Sequence, residues 1–368
     1  MQHQRRIVIT GLGVISPIGQ DVASFERNLF NGVGGIEMVD FRWRDLVVPY
    51  PAAPVKGFDS SVYLDAKKAA LLDRFALFAV AAARQAFDDS GLTLTPEMAE
   101  RTAVVTGTSV GGQNTLEDSF MKLLASPANP RAHPFTIPRL MSNAGSSHVS
   151  MTLGITGPAF TVASACASAV HAMGVTIGLM RSGLVDRAVT GGAEACLTFG
   201  TLKGWDALRV MAPDVCRPFS ANRAGLVLGE GAAMLVLETL ESARARGARI
   251  YAELAGFGMS SDAKDITTPD VGGAARAIAG ALADSGLVPE DIDYINAHGT
   301  GTRINDLMET AAIKQVLGER ARHIAISAGK SHFGHALGAA GALEMLATVL
   351  AVIREMAPPT INYLGLDP

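Results

Sequence analysis

The chain has 368 residues and a formal charge of −4, with 48% hydrophobic residues, 18% charged residues and 39 glycines. Such a chain buries a large core, which excludes a disordered segment, and it carries no basic block of the kind that binds nucleic acid. Three cysteines, Cys166, Cys196 and Cys216, give neither a disulfide framework nor paired zinc-ligand spacing, which fits a reducing cytoplasm and no metal.

The polar start, Met1 to Arg6, runs straight into a strand-like Ile7-Val8-Ile9, so no secretory leader is expected. Thr10-Gly11-Leu12-Gly13 begins like a dinucleotide fingerprint. Ser16 and Pro17 stand where its third glycine belongs, and that reading is discarded. An amphipathic helix is expected over 75–87, stopped by Gly91 in Asp89-Ser90-Gly91-Leu92. A strand over 102–107 follows, turning at Thr108. A strand over 160–163, a sharp turn at Ser164-Ala165-Cys166 and a helix through Met180 come next. Strands over 188–192 and 232–237 and a helix over 238–246 close the first part.

The second part repeats this plan. Ala255-Gly256-Phe257-Gly258 echoes Thr10-Gly11-Leu12-Gly13, and each follows an apolar strand, here 250–254. A helix over 274–283 ends in Asp284-Ser285-Gly286-Leu287, like its counterpart. A strand over 293–296 leads to His298-Gly299-Thr300. A strand over 323–327 leads through a Gly/Lys/His-rich turn into a helix from about Gly338. Short apolar strands alternating with helices predict α/β layers with mainly parallel sheets, in two duplicated halves about a pseudo-twofold axis. The halves are placed at 1–248 and 249–368. The second lacks counterparts of the 188–192 and 232–237 strands, so it is expected to be incomplete at its C-terminus. The apolar run 336–353 contains Glu344 and several glycines, and is read as a core helix, not a transmembrane span.

Cys166 is the first candidate for chemistry. It lies in Ala163-Ser164-Ala165-Cys166-Ala167-Ser168-Ala169, where small residues join a strand to a helix. A helix N-terminus favours thiolate over thiol, so the placement suits an activated nucleophile; Cys196 and Cys216 lack it and read as core. His298 lies in Asn296-Ala297-His298-Gly299-Thr300-Gly301-Thr302, and His335 in Lys330-Ser331-His332-Phe333-Gly334-His335. Both follow strands at Gly-rich turns, where open α/β sheets place ligands. Duplication makes the Lys330 to His335 turn the equivalent of the Cys166 turn, so the pseudo-twofold brings the three residues together. His3, His133, His148, His171 and His323 read as surface or structural, and His332 has no distinct role. Gly107-Thr108-Ser109-Val110-Gly111 fits a hydrolase nucleophile elbow with Asp306 as its acid, but that reading leaves Cys166 and His298 idle.

Together these motifs resemble the β-ketoacyl-acyl-carrier-protein synthases of the thiolase superfamily, of ketosynthase II type. The likeness is carried by Val162-Ala163-Ser164-Ala165-Cys166, by Asn296 to Thr302, by Lys330 to Gly341 with Glu344, and by Arg217-Pro218-Phe219 with Gly225 to Gly231. Ala212 to Ser220 and Asn305 to Thr310 further resemble the nodulation ketosynthases. The resemblance implies a thiolase-like, five-layered αβαβα fold, a homodimer, an acyl carrier protein as partner, and no cofactor beyond the phosphopantetheine that arrives on that carrier. It implies decarboxylative condensation of an acyl group on Cys166 with a malonyl thioester held by His298 and His335. Lys330 and Glu344 would form the supporting pair, Thr300 and Thr302 would contact the pantetheine arm, and Trp205 and Val110 would line the acyl pocket. Lys264-Asp265 stands where the fatty-acid enzymes commonly have Tyr-His, so the rim is expected to differ. The family's later Gly-Phe-Gly-Gly turn has no counterpart here. That keeps a non-catalytic ketosynthase partner, or chain-length subunit, as the alternative function.

Overall fold

The computed structural model describes residues 5–126 and 128–367, so His3 lies outside the described residues. Its strands are β1 (Ile7–Ile15), β2 (Glu37–Trp43), β3 (Leu46–Ala53), β4 (Thr102–Gly107), β5 (Ala159–Val162), β6 (Arg187–Glu194), β7 (Leu228–Gly229), β8 (Gly231–Thr239), β9 (Ala252–Glu253), β10 (Tyr294–Asn296) and β11 (Ala325–Ser327). The helices that position the site are α1 (Arg74–Ser90), α2 (Gln113–Ala125), α3 (Ala144–Leu153), α4 (Ser168–Arg181), α5 (Phe199–Ala207), α6 (Val271–Ser285), α7 (Arg303–Leu317) and α8 (Ala340–Arg354).

Five layers stack in the order α, β, α, β, α. Helices α1 and α3 cover one face of a six-stranded sheet ordered β5-β4-β6-β8-β1-β9. Its other face packs on α4 and α8, which form the central layer. The parallel pair β10-β11 follows, and α6 and α7 close the far side around Ile313, Leu317, Ile324 and Leu282. A separate small sheet, β2-β3-β7, lies beside the site.

The echo in the sequence has a steric cause. A Cβ on Gly11 or Gly13 would come within 2.0 Å of the Ala86 or Ala82 carbonyl oxygen on α1. A Cβ on Gly256 or Gly258 would come within 2.7 or 2.0 Å of the Ala281 or Ala277 carbonyl on α6. Each half therefore presses a helix directly against extended backbone, in β1 in the first half and just after β9 in the second, and each pins it the same way. The Leu12 amide donates to Asp89, and the Phe257 amide donates to Asp284. Gly91 and Gly286 stop the two helices with φ of 63° and 70°, a left-handed conformation that costs glycine no Cβ clash.

The sheet is mixed, which corrects the mainly parallel expectation. β5, β4 and β6 run parallel, but β8 is antiparallel to β6 and β1, and β1 is antiparallel to β9. Glu194, at the end of β6, sits opposite Gly231, at the start of β8. The excursion through α5 and β7 thus re-enters the sheet at the end where it left, which forces the reversed direction. Glu238 belongs to β8 rather than to the following helix, Leu240–Ala245; it is buried and bound by Arg246 and Thr10. The apolar run 336–353 is mostly buried: α8 places Leu343, Leu346, Ala347 and Leu350 in the central core.

Candidate active site

Cys166 sits at the entrance to α4, where the chain leaves β5. Ala165 is held at φ 50°, an unusual conformation for a residue with a Cβ. Its carbonyl is held by the Ser168 amide (3.1 Å), the Ser168 hydroxyl (2.6 Å) and the Ser109 hydroxyl (2.9 Å). No side chain caps α4, so its first-turn N–H groups face the turn that carries the thiol.

The second half supplies the imidazoles. His298 follows β10, and its amide and that of Gly299 donate to Glu309 on α7 at 2.6 and 2.8 Å. His335 is fastened by its backbone beside β7: its amide donates to the Val227 carbonyl (2.7 Å), and its carbonyl accepts from Gly229 (3.0 Å). The rings of His298 and His335 stand nearly perpendicular, centroids 5.3 Å apart. His335 Nε2 is 3.0 Å from Cys166 Sγ. One ligand-capable atom from each of the three residues falls within a 4.8 Å set. At the N-terminal ends of the two central helices, Gly341 of α8 packs against Val170 of α4, which is how the duplicated turns meet.

The hydrogen bonds fix which nitrogen of each ring carries the proton. The Leu337 amide donates to His335 Nδ1 at 3.1 Å, and Lys330 Nζ lies 3.1 Å from His298 Nδ1. Both Nδ1 atoms therefore accept, and both Nε2 atoms carry hydrogen and point into the cleft. Two Nε2–H groups facing one cleft form a donor set that suits an oxyanion. Lys330, fully buried, also donates to the His298 carbonyl (2.6 Å) and is ion-paired with Glu344. Burial, then the Lys330 charge, pushes both imidazoles well below their ordinary value, so both are neutral. Burial raises Glu344 to about 7, against the pull of Lys330. Burial also pushes the Cys166 thiol up, with Lys330 opposing it. Burial thus opposes the thiolate that the helix terminus favours.

A cleft of about 670 Å³ opens over these atoms. Cys166, Trp205, His298, Thr300, Thr302 and His335 all line it. Thr300 and Thr302 hydroxyls are 2.9 Å apart, and Thr302 also caps α7. Val110 does not line this cleft; its side chain is 45% exposed on the loop after β4. Asp265 and Ile266 belong to the rim, where Lys264 pairs with Asp270.

Residues 4–243 match the β-ketoacyl synthase N-terminal domain, and residues 251–364 match its C-terminal domain. The chain belongs to the β-ketoacyl synthase family. It is 44% identical over 367 residues to Nodulation protein E of Rhizobium leguminosarum bv. trifolii, covering 99% of this chain and 90% of the relative. It is 42% identical over 375 residues to 3-oxoacyl-[acyl-carrier-protein] synthase 2 of Synechocystis sp., covering 100% and 90%. The solved ishigamide ketosynthase/chain length factor superposes with a TM-score of 0.93 at 39% identity, covering 99% and 90%. The thiolase-like fold of these ketosynthases is the fold of this chain.

The remaining motifs have structural duties. Ser109 spends its hydroxyl on the Ala165 carbonyl, and Asp306 accepts from the Phe219 and Gly301 amides, so no hydrolase elbow exists. Cys196 and Cys216 are buried. His332 bridges the Val33 and Pro359 carbonyls, and His171 bonds Ser164 under the nucleophile turn. Two carboxylates near the site hold its turns without a motif that marks them, the buried Glu194 and the half-buried Glu309. The available signal for Glu194 was a lone acid at the end of the apolar run Ala188 to Cys196.

Proposed function

We propose that this ketosynthase catalyses decarboxylative Claisen condensation of an acyl thioester on Cys166 with malonyl-acyl-carrier protein, giving β-ketoacyl-acyl-carrier protein. The observation that carries the reading is the convergence of two Nε2–H donors on a cleft floored by one nucleophilic sulfur. In the first step Cys166 attacks the acyl thioester, and its proton leaves with the departing pantetheine thiol. In the second the malonyl thioester oxygen lies between His298 and His335. The C–CO2 bond breaks, and its electron pair forms an enolate whose oxygen both imidazoles hold. Donors placed where charge develops form the largest catalytic contribution in such sites. In the third step the enolate carbon attacks the acyl-Cys166 carbonyl. The C–S bond breaks, and the released thiolate takes a proton from water. The Cys166 amide is the candidate donor to the thioester oxygen.

The sequence is redox-neutral and needs no electron carrier, so phosphopantetheine on the carrier protein is the one prosthetic group in the scheme. Thr300 and Thr302 border the cleft where that arm would lie, and Trp205 borders the path of the acyl chain. The expected setting is a cytoplasmic homodimer served by acyl carrier protein.

A second reading is a non-catalytic partner that shapes the pocket of another ketosynthase, and the chain does resemble the solved ishigamide ketosynthase/chain length factor. The intact Cys166, His298 and His335 favour the catalytic reading. The test is incubation of the purified chain alone with acyl- and malonyl-acyl-carrier proteins, read by product mass. Ketoacyl product that disappears in Cys166→Ala supports the enzyme. No product alone, with activity restored only by a second ketosynthase, supports the partner.

A further inference from the structure

Glu194 is fully buried at the end of β6 and touches none of the reacting atoms, yet it stands between the two turns that carry them. One oxygen accepts from the Ser109 amide (2.6 Å) and the Gly338 amide (3.0 Å). The other accepts from the Thr108 hydroxyl (2.9 Å) and the Val110 amide (3.4 Å). A single carboxylate thus ties the loop after β4 to the turn after His335. The fit leaves no room: a Cβ on Gly338 would lie 2.3 Å from the Ser109 nitrogen and 2.7 Å from Glu194 Oε2.

Each tether continues to a reacting group. On one side, Gly338 follows Leu337, which is held at φ 42°, a left-handed conformation that a leucine adopts only under constraint. That conformation presents the Leu337 amide to His335 Nδ1, and Nε2 then faces Cys166 Sγ. On the other side, Ser109 donates to the Ala165 carbonyl and so braces the left-handed residue next to Cys166.

We propose that Glu194 is a positioning residue that sets the His335 tautomer and the Cys166 turn together, by clamping Gly338 and Ser109 with one carboxylate. An ionised carboxylate is suited to the task because it is acceptor-only and meets four donors at once. Glutamine has nearly the same shape, but its NH2 would face N–H groups that need an acceptor. The inference rests on the condensation reading for its kinetic consequence, but not for its structural one.

The experiment uses full-length protein with ¹⁵N-labelled histidine, the His335 signal being assigned from His335→Gln. In the unsubstituted protein His335 is expected with Nε2 protonated and Nδ1 accepting. In Glu194→Gln a second tautomer is expected, and kcat for condensation should fall about 10- to 100-fold, with KM for acyl-carrier protein changed far less. Glu194→Asp should recover part of both. If Glu194→Gln fails to fold, Thr108→Val removes one donor of the four and should give a smaller shift in the same direction. An Nδ1-protonated His335 in the unsubstituted protein overturns the inference. So does a Glu194→Gln or Thr108→Val protein that loses activity or stability with its tautomer unchanged, or one that keeps both rate and tautomer. A tautomer shift in a chain that does not condense would sustain the inference and defeat the functional reading instead.

Discussion

Removing His298 separates the two half-reactions. His298 faces the cleft with Nε2, but the contact to Cys166 Sγ is made by His335, at 3.0 Å. Acyl transfer to Cys166 should therefore survive His298→Ala, while decarboxylation loses one of its two oxyanion donors. One such donor is worth about 2.7–4 kcal/mol, or roughly 10²–10³-fold in rate. The fold should persist, because Lys330 keeps Glu344 and a bond to the carbonyl of residue 298, and Glu309 still holds that residue's amide. The assay is a burst measurement followed by turnover: protein mass reports acylation of Cys166, and labelled CO2 reports decarboxylation. Expected is about one acyl group per chain and decarboxylation lowered by two to three decades. A variant that condenses at a third or more of the normal rate would refute the oxyanion role. Equal loss of acylation and decarboxylation would refute the division of labour.

Lys330→Met strips Glu344, whose side chain is 13% exposed, of its counter-charge, and removing one partner of a largely buried pair costs about 3–5 kcal/mol. Burial then favours the protonated acid in the folded chain, whereas the unfolded carboxylate has released its proton, so stability falls as pH rises. Urea denaturation should show a larger deficit at pH 8 than at pH 6. Because both imidazoles lie well below their ordinary value, decarboxylation by preformed acyl-enzyme should stay level from pH 8 down through about 6.5 and fall only at lower pH. Because Glu344 is raised to about 7 beside Lys330, the profile is compared with that of Glu344→Gln, and a midpoint near 6.5 that persists there would contradict the neutral-donor assignment. Trp205→Ala removes a wall of the cleft and should lengthen the acyl chains accepted, read as a shift of product masses at unchanged rate for short primers; an unchanged product distribution assigns Trp205 to packing alone.

The duplicated α/β plan was legible because both halves use the same device, while the five-layered order was implied by the family resemblance. Gly-x-Gly facing a helix that ends in Asp-Ser-Gly-Leu is a pattern that close backbone approach demands, and it occurs twice. The strand over 102–107 and the helices over 75–87 and 274–283 fell within a few residues of the observed elements, since apolar periodicity and glycine stops mark them locally. Strand direction was not legible. It depends on where the long excursion between β6 and β8 re-enters the sheet, and no local residue records that. The surroundings of the Cys166 thiol were not legible for a similar reason. The helix terminus is visible in the chain, but the burial that opposes it comes from residues far away in sequence.

The sequence by itself determined the chemical inventory: one cysteine at a strand-to-helix turn, two histidines on glycine-rich turns, and a lysine with a glutamate beyond them. Those residue types specify a nucleophile and two polar donors, because these are properties of side chains; the condensation they carry out was implied by the family resemblance. Only the tertiary structure decided how they work together. It set Nε2 of His335 3.0 Å from the sulfur and gave each ring its tautomer through a backbone amide or a buried ammonium. It also placed Glu194 and Glu309 behind the turns they hold. Their partners are mainly main-chain N–H groups, which every residue but proline possesses, so the bonds leave no mark in the sequence.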